Sequence, residues 1–233
     1  GKYVDDMALA RQAHGVVLRS PHAHARILAI DTSAAAALSG VLAILTADEL
    51  RADDIGDIPC GINIPNHDGT PSKTPGRPTL VSGQVRFVGD PVAFIVAETA
   101  TAAEDAAEAV MVRYEELPAV VDPAAALESA APQLHDAAPG NLCMDWQGGD
   151  REAVDRLFAS AAKTVALEAR NNRISPSAIE PRVAIGDYDA GNGQYTLHIP
   201  SQGVHRVRGL LAGNVLKVPE SRLRVMTPDV GGG

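Results

Sequence analysis

The sequence predicts an α+β protein built in two parts, and three observations predict it. VRFVGDPVAFIVAE, residues 85–98, reads as strand, turn and strand, and it leads directly into the alanine-rich stretch TATAAEDAAEAV. A segment carrying four prolines, 118–140, then interrupts the chain without any sustained apolar period. Beyond it, helical and strand patterns resume and run into the closing RVMTPDVGGG.

The elements follow in order. YVDDMALARQAHGVVLRS reads as extended segments. In SPHAHARILAIDTS, Ala25, Ile27 and Ala29 alternate with Arg26, Leu28 and Ile30, which predicts a largely buried strand. Ser33 to Leu38 fits a short helix closed by Gly40, a residue suited to the left-handed position after a helix. VLAIL is a strand, and Thr46 with Glu49 has the spacing of a capping box for one more turn. Residues 51–80, rich in Gly, Pro, Asp and Asn, read as a long surface excursion. The turn Gly89-Asp90-Pro91 separates two strands; Thr101 with Glu104 again has capping-box spacing, and alanine has high helix propensity. Val110, Val112 and Tyr114 then alternate as a strand.

Past the crossover, Val154, Leu157, Phe158 and Ala161 share one helical face. VALEA, VAIGDY and QYTLHIP are expected strands, Val204, Val207, Leu210 and Leu211 mark a second amphipathic helix, and LRVM is a last strand. This second part has elements but no closing ones.

Composition excludes several classes. The chain has 233 residues, 45% hydrophobic and 21% charged, which is globular and enough for one large or two small domains. A net charge of −9 with scattered basic residues argues against nucleic acid as a partner. The longest apolar runs, such as VAFIVA, fall far short of the roughly 20 residues of a membrane span. Cys60 and Cys143 permit one disulfide and require none, and they are too few for an iron–sulfur cluster, which takes about four thiolates.

Three glycines at 231–233 have two readings: a flexible tail, or a loop whose backbone N–H groups approach a ligand oxygen closely. Glu180, in AIEPR, reads as an ion pair with Arg182 or a backbone acceptor, or alternatively as part of a ligand edge. His22 and His24 share one face of a strand, but with no third ligand nearby loop contacts are the better reading. His67 in NHDG belongs to a turn, His205 to a helix start, and both cysteines to buried or loop positions.

Several segments resemble one family when taken in order: YVDD, RSPHAHARI, RFVGDPVA, NNRISPSAIEPR, PSQGVH and PDVGGG. Together they resemble the molybdenum-cofactor subunit of the xanthine dehydrogenase and aldehyde oxidase family, above all its carbon monoxide dehydrogenase-like large subunits. The resemblance implies an α/β hammerhead domain at 1–120, a linker at 121–144 and the first part of a molybdopterin-binding domain at 145–233. It implies a cofactor-binding role for Gln202, in PSQ, and for Gly231, Gly232 and Gly233, the start of a glycine loop. From spacing alone, Gln202 also reads as a buried amide tying the strand end at Pro200 to the next helix. The family's catalytic Glu lies downstream, outside this sequence.

The implied reaction is oxidation of a substrate carbon with oxygen from water, on a molybdenum–molybdopterin cofactor, expected as molybdopterin cytosine dinucleotide. Electrons would leave through [2Fe–2S] clusters to FAD, which must sit on partner subunits. Expected partners are the remaining large-subunit segment, an iron–sulfur subunit, an FAD subunit and a small-molecule substrate, in a cytoplasmic oligomer. This chain by itself is expected to be inactive and to expose apolar surface, giving self-association or marginal stability in the second half. A non-catalytic assembly module and a protein cradling some other nucleotide are the competing expectations.

Overall fold

The computed structural model describes residues 1–61 and 63–232. A short 3-10 turn, Val4–Asp6, precedes β1 (His14–Arg19), β2 (Ala25–Asp31), α1 (Ser33–Ala36), β3 (Val41–Leu45) and α2 (Ala47–Ala52). There follow β4 (Gln84–Val85), β5 (Pro91–Ala97), α3 (Ala100–Ala109) and β6 (Met111–Glu116). The second part contains α4 (Arg151–Ser160), β7 (Ile185–Asp189), β8 (Gln194–His198), α5 (Val204–Leu210) and β9 (Leu223–Met226). The described strands form three sheets, ordered β1-β5-β3, β4-β2-β6 and β7-β8-β9. All pairs are antiparallel except β8 with β9. The fold is thus α+β, as expected.

β5 is central because its sequence is apolar on both faces. Ala93, Ile95 and Ala97 face α3 and the half-buried Val16, Leu18, Val41 and Ile44, while Val92 packs on the other side with Ala25, Val81 and Val85. The helix presents Ala103, Ala106 and Ala107, small enough to bring its axis close to the sheet. The ring of Phe94 lies over Gly15, diagonally across the β1–β5 pair, where an added Cβ would stand 2.4 Å from it, so position 15 must be small.

Two local expectations are corrected. β2 is not largely buried: the register slips between Ile27 and Ala29, and Leu28 turns 46% exposed to solvent. That bulge frees one side chain from the inward face. The cap of α3 is Thr99, whose Oγ accepts the Ala102 N–H at 3.1 Å, not Thr101. Thr99 is extended (φ −134°, ψ 156°), as an N-cap requires, and Thr101 already lies inside the helix. At α2 the expected box is present: Thr46 Oγ accepts from Asp48 N–H, and Glu49 accepts from Thr46 N–H at 2.7 Å.

The sequence motifs of the first part hold its turns. Gly89, at φ +96°, lets the chain reverse, and Asp90, buried, accepts the Arg86 N–H at 2.7 Å. Ser20 and Asp90 are joined through the backbone at 2.9 Å. His24 is buried with both ring nitrogens engaged: Nδ1–H donates to Pro118 O at 2.6 Å and Nε2 accepts from Gln84. His22 lies 3.4 Å from Glu116. The two histidines are therefore separate structural contacts.

The excursion at 51–80 is irregular but does more than cover surface. Gly56 N–H donates to Val215 O at 2.8 Å, Lys73 N–H to Cys143 O at 2.8 Å and His67 N–H to Asp145 O at 2.8 Å, and Asp54 pairs with Lys217. It joins the two parts. The crossover is likewise ordered, since the Asn141 amide donates to Ala126 O and Pro132 O, both at 3.0 Å, and Arg86 Nε donates to Leu134 O at 2.6 Å. Burial and the neighbouring Arg86 lower the pKa of His135 there.

In the second part VALEA forms no strand: Val165 and Leu167 are 90% and 89% exposed. Alternation alone makes a strand only where a partner supplies the ladder. The apolar face of α4 is also exposed at Leu157 and Phe158. By contrast β7, β8, α5 and β9 form a compact unit, in which α5 provides the crossover that a parallel β8–β9 pair needs. No helix among the described residues is long and apolar enough to cross a membrane.

Thr99→Ala should lower stability by about 1 kcal/mol, and Thr101→Ala by a few tenths at most. Urea unfolding of the two variants side by side measures this; equal losses would put the cap elsewhere.

Candidate functional site

Parallel strands end on the same edge of a sheet, and there the loops that follow them meet. β8 runs into Ile199-Pro200-Ser201-Gln202 and β9 into Thr227-Pro228-Asp229-Val230. Ile199 N–H donates to Met226 O at 3.0 Å and Thr227 Oγ to Ile199 O at 2.8 Å, so the two exits are locked together. Beyond them opens a pocket of about 310 Å³, lined by Glu180, Arg182, Pro200, Ser201, Gln202 and Gly232 among others. The carboxyl ends of parallel strands are where open α/β sheets place their ligands.

The structure brings Gln202 and Gly232 to the same pocket. Gln202 is exposed, and among the described residues its carboxamide has no hydrogen-bond partner. It does not tie Pro200 to the helix; Ser201 Oγ does the local work, accepting the Gly203 N–H at 3.1 Å. Gly231 stands behind the pocket wall, and Gly233 lies outside the described residues.

The glycines have a physical reason that the sequence reading missed. A Cβ on Gly231 would fall 2.5 Å from the Glu180 Cβ, and one on Gly232 2.6 Å from the Ala178 Cβ. Gly232 is also at φ +133°, where L side chains are rare. The loop is glycine because it lies against the main chain of 178–180. Its Gly231 N–H donates to Glu180 Oε2 at 2.8 Å and so is engaged within the protein.

Glu180 is accordingly a backbone acceptor and not the partner of Arg182. It is 4% exposed, and its second oxygen accepts the Val4 N–H at 3.3 Å. Arg182 is exposed on the pocket wall and, among the described residues, is in no ion pair. Neither Val4 nor Arg182 stood out in the sequence as a site residue. Only the YVDD and AIEPR motifs around them signalled it.

Elsewhere, His67 is 3.1 Å from Asp145, and His205, Cys60 and Cys143 are exposed. Among the described residues there is no cluster of three or more His, Cys, Asp or Glu that could hold a metal ion.

Residues 1–118 match the aldehyde oxidase and xanthine dehydrogenase a/b hammerhead domain, and residues 134–233 match the molybdopterin cofactor-binding domain. The chain belongs to the aldehyde oxidase and xanthine dehydrogenase family. It is 34% identical over 256 residues to the carbon monoxide dehydrogenase large chain of Hydrogenophaga pseudoflava and 36% over 245 residues to that of Afipia carboxidovorans. Each alignment takes in 100% of this chain and 29% of the relative, so the chain spans under a third of their length. The crystal structure of quinoline 2-oxidoreductase from Pseudomonas putida 86 superimposes with a TM-score of 0.88 at 35% identity, covering 100% of this chain and 28% of that one. The hammerhead domain is therefore the part holding β1 to β6, and the pocket lies within the stretch matched to the cofactor-binding domain.

A molybdopterin-type group presents oxo and phosphate oxygens, which call for donors. The wall offers an unpartnered carboxamide, an unpaired guanidinium and a glycine at positive φ, a set that suits oxo and phosphate oxygens. Among the described residues no unpaired carboxylate lines the pocket, since both Glu180 oxygens are engaged. The residues fit the group.

Gly231→Ala should displace the 228–232 loop and cost about 1–3 kcal/mol by overpacking. Gly213→Ala, with nothing within 4 Å of its added Cβ, should cost nothing. Thermal unfolding of both variants checks the difference, and an unperturbed Gly231→Ala would refute the close packing.

Proposed function

We propose that this chain is part of a molybdenum hydroxylase large subunit and that its pocket helps hold the molybdopterin cofactor, in the cytosine dinucleotide form. The observation that carries the reading is the free Gln202 carboxamide, set at the joined exits of β8 and β9 with Gly232 and Arg182 on the same pocket. A neutral amide donates to an oxo oxygen without adding charge, and a guanidinium binds phosphate oxygens. When bound, the cofactor supplies the redox centre at which a substrate carbon is oxidised with oxygen from water. The part of this chain is to orient it and to shield one side from solvent. Gly233 belongs to the same reading as the next step of the loop.

Electrons pass, in this proposal, to [2Fe–2S] and FAD groups on partner subunits in a cytoplasmic complex, and the chain by itself is inactive. The relatives support such an assembly by name: they are large chains, large subunits and molybdenum-binding subunits. The exposed face of α4, with Val154, Leu157 and Phe158, and the exposed Val165, Leu167, Ile174 and Ile179 fit the remaining large-subunit segment as the covering partner.

In the full-length subunit within its complex, Gln202→Ala should lower molybdenum content or cut kcat by roughly a hundredfold, as loss of one preorganised donor does. Metal analysis and turnover read it, and wild-type values for both would remove Gln202 from the site. A nucleotide bound without molybdenum would favour the phosphate-binding reading instead.

The isolated chain should self-associate through the α4 face, and Leu157→Asp with Phe158→Asp should restore a smaller species. Light scattering that finds the unsubstituted chain monomeric at high concentration would count against this interface.

A further inference from the structure

Glu180 joins segments far apart in sequence. Its two oxygens accept N–H groups from Val4, 176 residues before it, and Gly231, 51 residues after it. The contact is deepened on both sides. Ile179 N–H donates to Gly231 O at 3.1 Å, and Lys2 N–H donates to Asp229 Oδ2 at 2.9 Å. Val4 is fully buried, and the Tyr3 N–H is taken by Asp6 at 2.8 Å, so the N-terminal turn has contacts of its own. The N-terminal turn, the 178–180 main chain and the glycine loop thus converge on one carboxylate in the pocket wall.

We propose that Glu180 is a positioning residue for the cofactor loop and that the turn Val4–Asp6 is its far support; this rests on the cofactor reading of the pocket. A carboxylate is acceptor-only and so satisfies two facing donors at once. A glutamine in its place turns a donor toward one of the two N–H groups, and an alanine removes the partner of both, the Val4 N–H buried and the Gly231 N–H half-buried. Either change releases Gly231, and with it the adjoining Gly232 that lines the pocket. The N-terminal YVDD motif thereby acts on a site formed by the opposite end of the chain.

The test uses the full-length subunit in its complex, with hydrogen exchange of the peptide spanning 228–232 and molybdenum per protein as readouts. Glu180→Ala should speed exchange there at least tenfold and lower molybdenum at least twofold, and Glu180→Gln should give intermediate values. Val4→Pro provides a second variant that leaves the acid in place. Tyr3 is already extended (φ −96°, ψ 171°), as a residue before proline must be, and position 4 opens the turn, so the change removes the N–H with little backbone strain. It should follow Glu180→Gln, with exchange in β1 to β6 unchanged. Unchanged loop exchange in Val4→Pro and Glu180→Gln overturns the positioning role, even where Glu180→Ala does not fold. Faster exchange with wild-type molybdenum content keeps the mechanical link and overturns the cofactor reading on which the proposal rests.

Discussion

A carboxylate taken out of water must find compensating donors, because its desolvation otherwise costs several kcal/mol. Glu180 is the place where this chain meets that requirement, and the solution dictates the surrounding geometry. Its donors are main-chain N–H groups of Val4 and Gly231, which a substitution of side chains cannot supply from elsewhere. Once those two are bound, the N-terminal turn has to lie beside the 178–180 main chain, and the loop after β9 has to pass close enough that only glycine fits at 231 and 232. The wall of the pocket therefore follows from satisfying one buried side chain.

The same economy governs how the two parts hold together. The hammerhead domain has a core of its own, with β5 covered by α3 on one side and by Val81 and Val85 on the other. The second part has far less of its own: Ile185, Ala212, Val215 and Leu223 are its buried apolar residues among those described. It compensates by docking. The excursion supplies Gly56 to Val215, and a Cβ on Gly56 would stand 2.0 Å from Asn214 O, so this approach too requires glycine. Backbone-to-backbone contacts at Gly56 and Gly231 thus fix the pocket-bearing unit from two directions.

These contacts show which features were legible in the sequence. Local rules worked where the deciding interactions are local. The Thr46 and Glu49 box, the alanine-rich helix, the fully apolar β5 and the amphipathic α5 all follow from spacing within a few residues. They misled where two local solutions compete, as with Thr99 and Thr101, or where a partner is missing, as with VALEA. The bulge that exposes Leu28 depends on the register against β6 and is invisible along one strand. At the pocket, Gln202 and the glycines were singled out through the order of motifs, but the reason for the glycines was not. It lies in the approach of Gly231 to Glu180 and of Gly232 to Ala178, 51 and 54 residues distant in sequence, which no periodicity encodes.

The uneven burial then carries a last step. β8 is the middle strand of its sheet, yet every residue in it is only half-buried, and α4 shows its apolar face to solvent. A middle strand in that condition is short of cover on at least one face, and an amphipathic helix gains little stability until its stripe is packed. Further chain on these surfaces would bury apolar area at roughly 25 cal/mol per Å², raising the stability of the unit that carries Gln202. The pocket is thus supported at Glu180 and short of cover at β8 and α4. The hammerhead contacts set where the loop stands, and what covers β8 and α4 sets how firmly the rest of the unit is held against it.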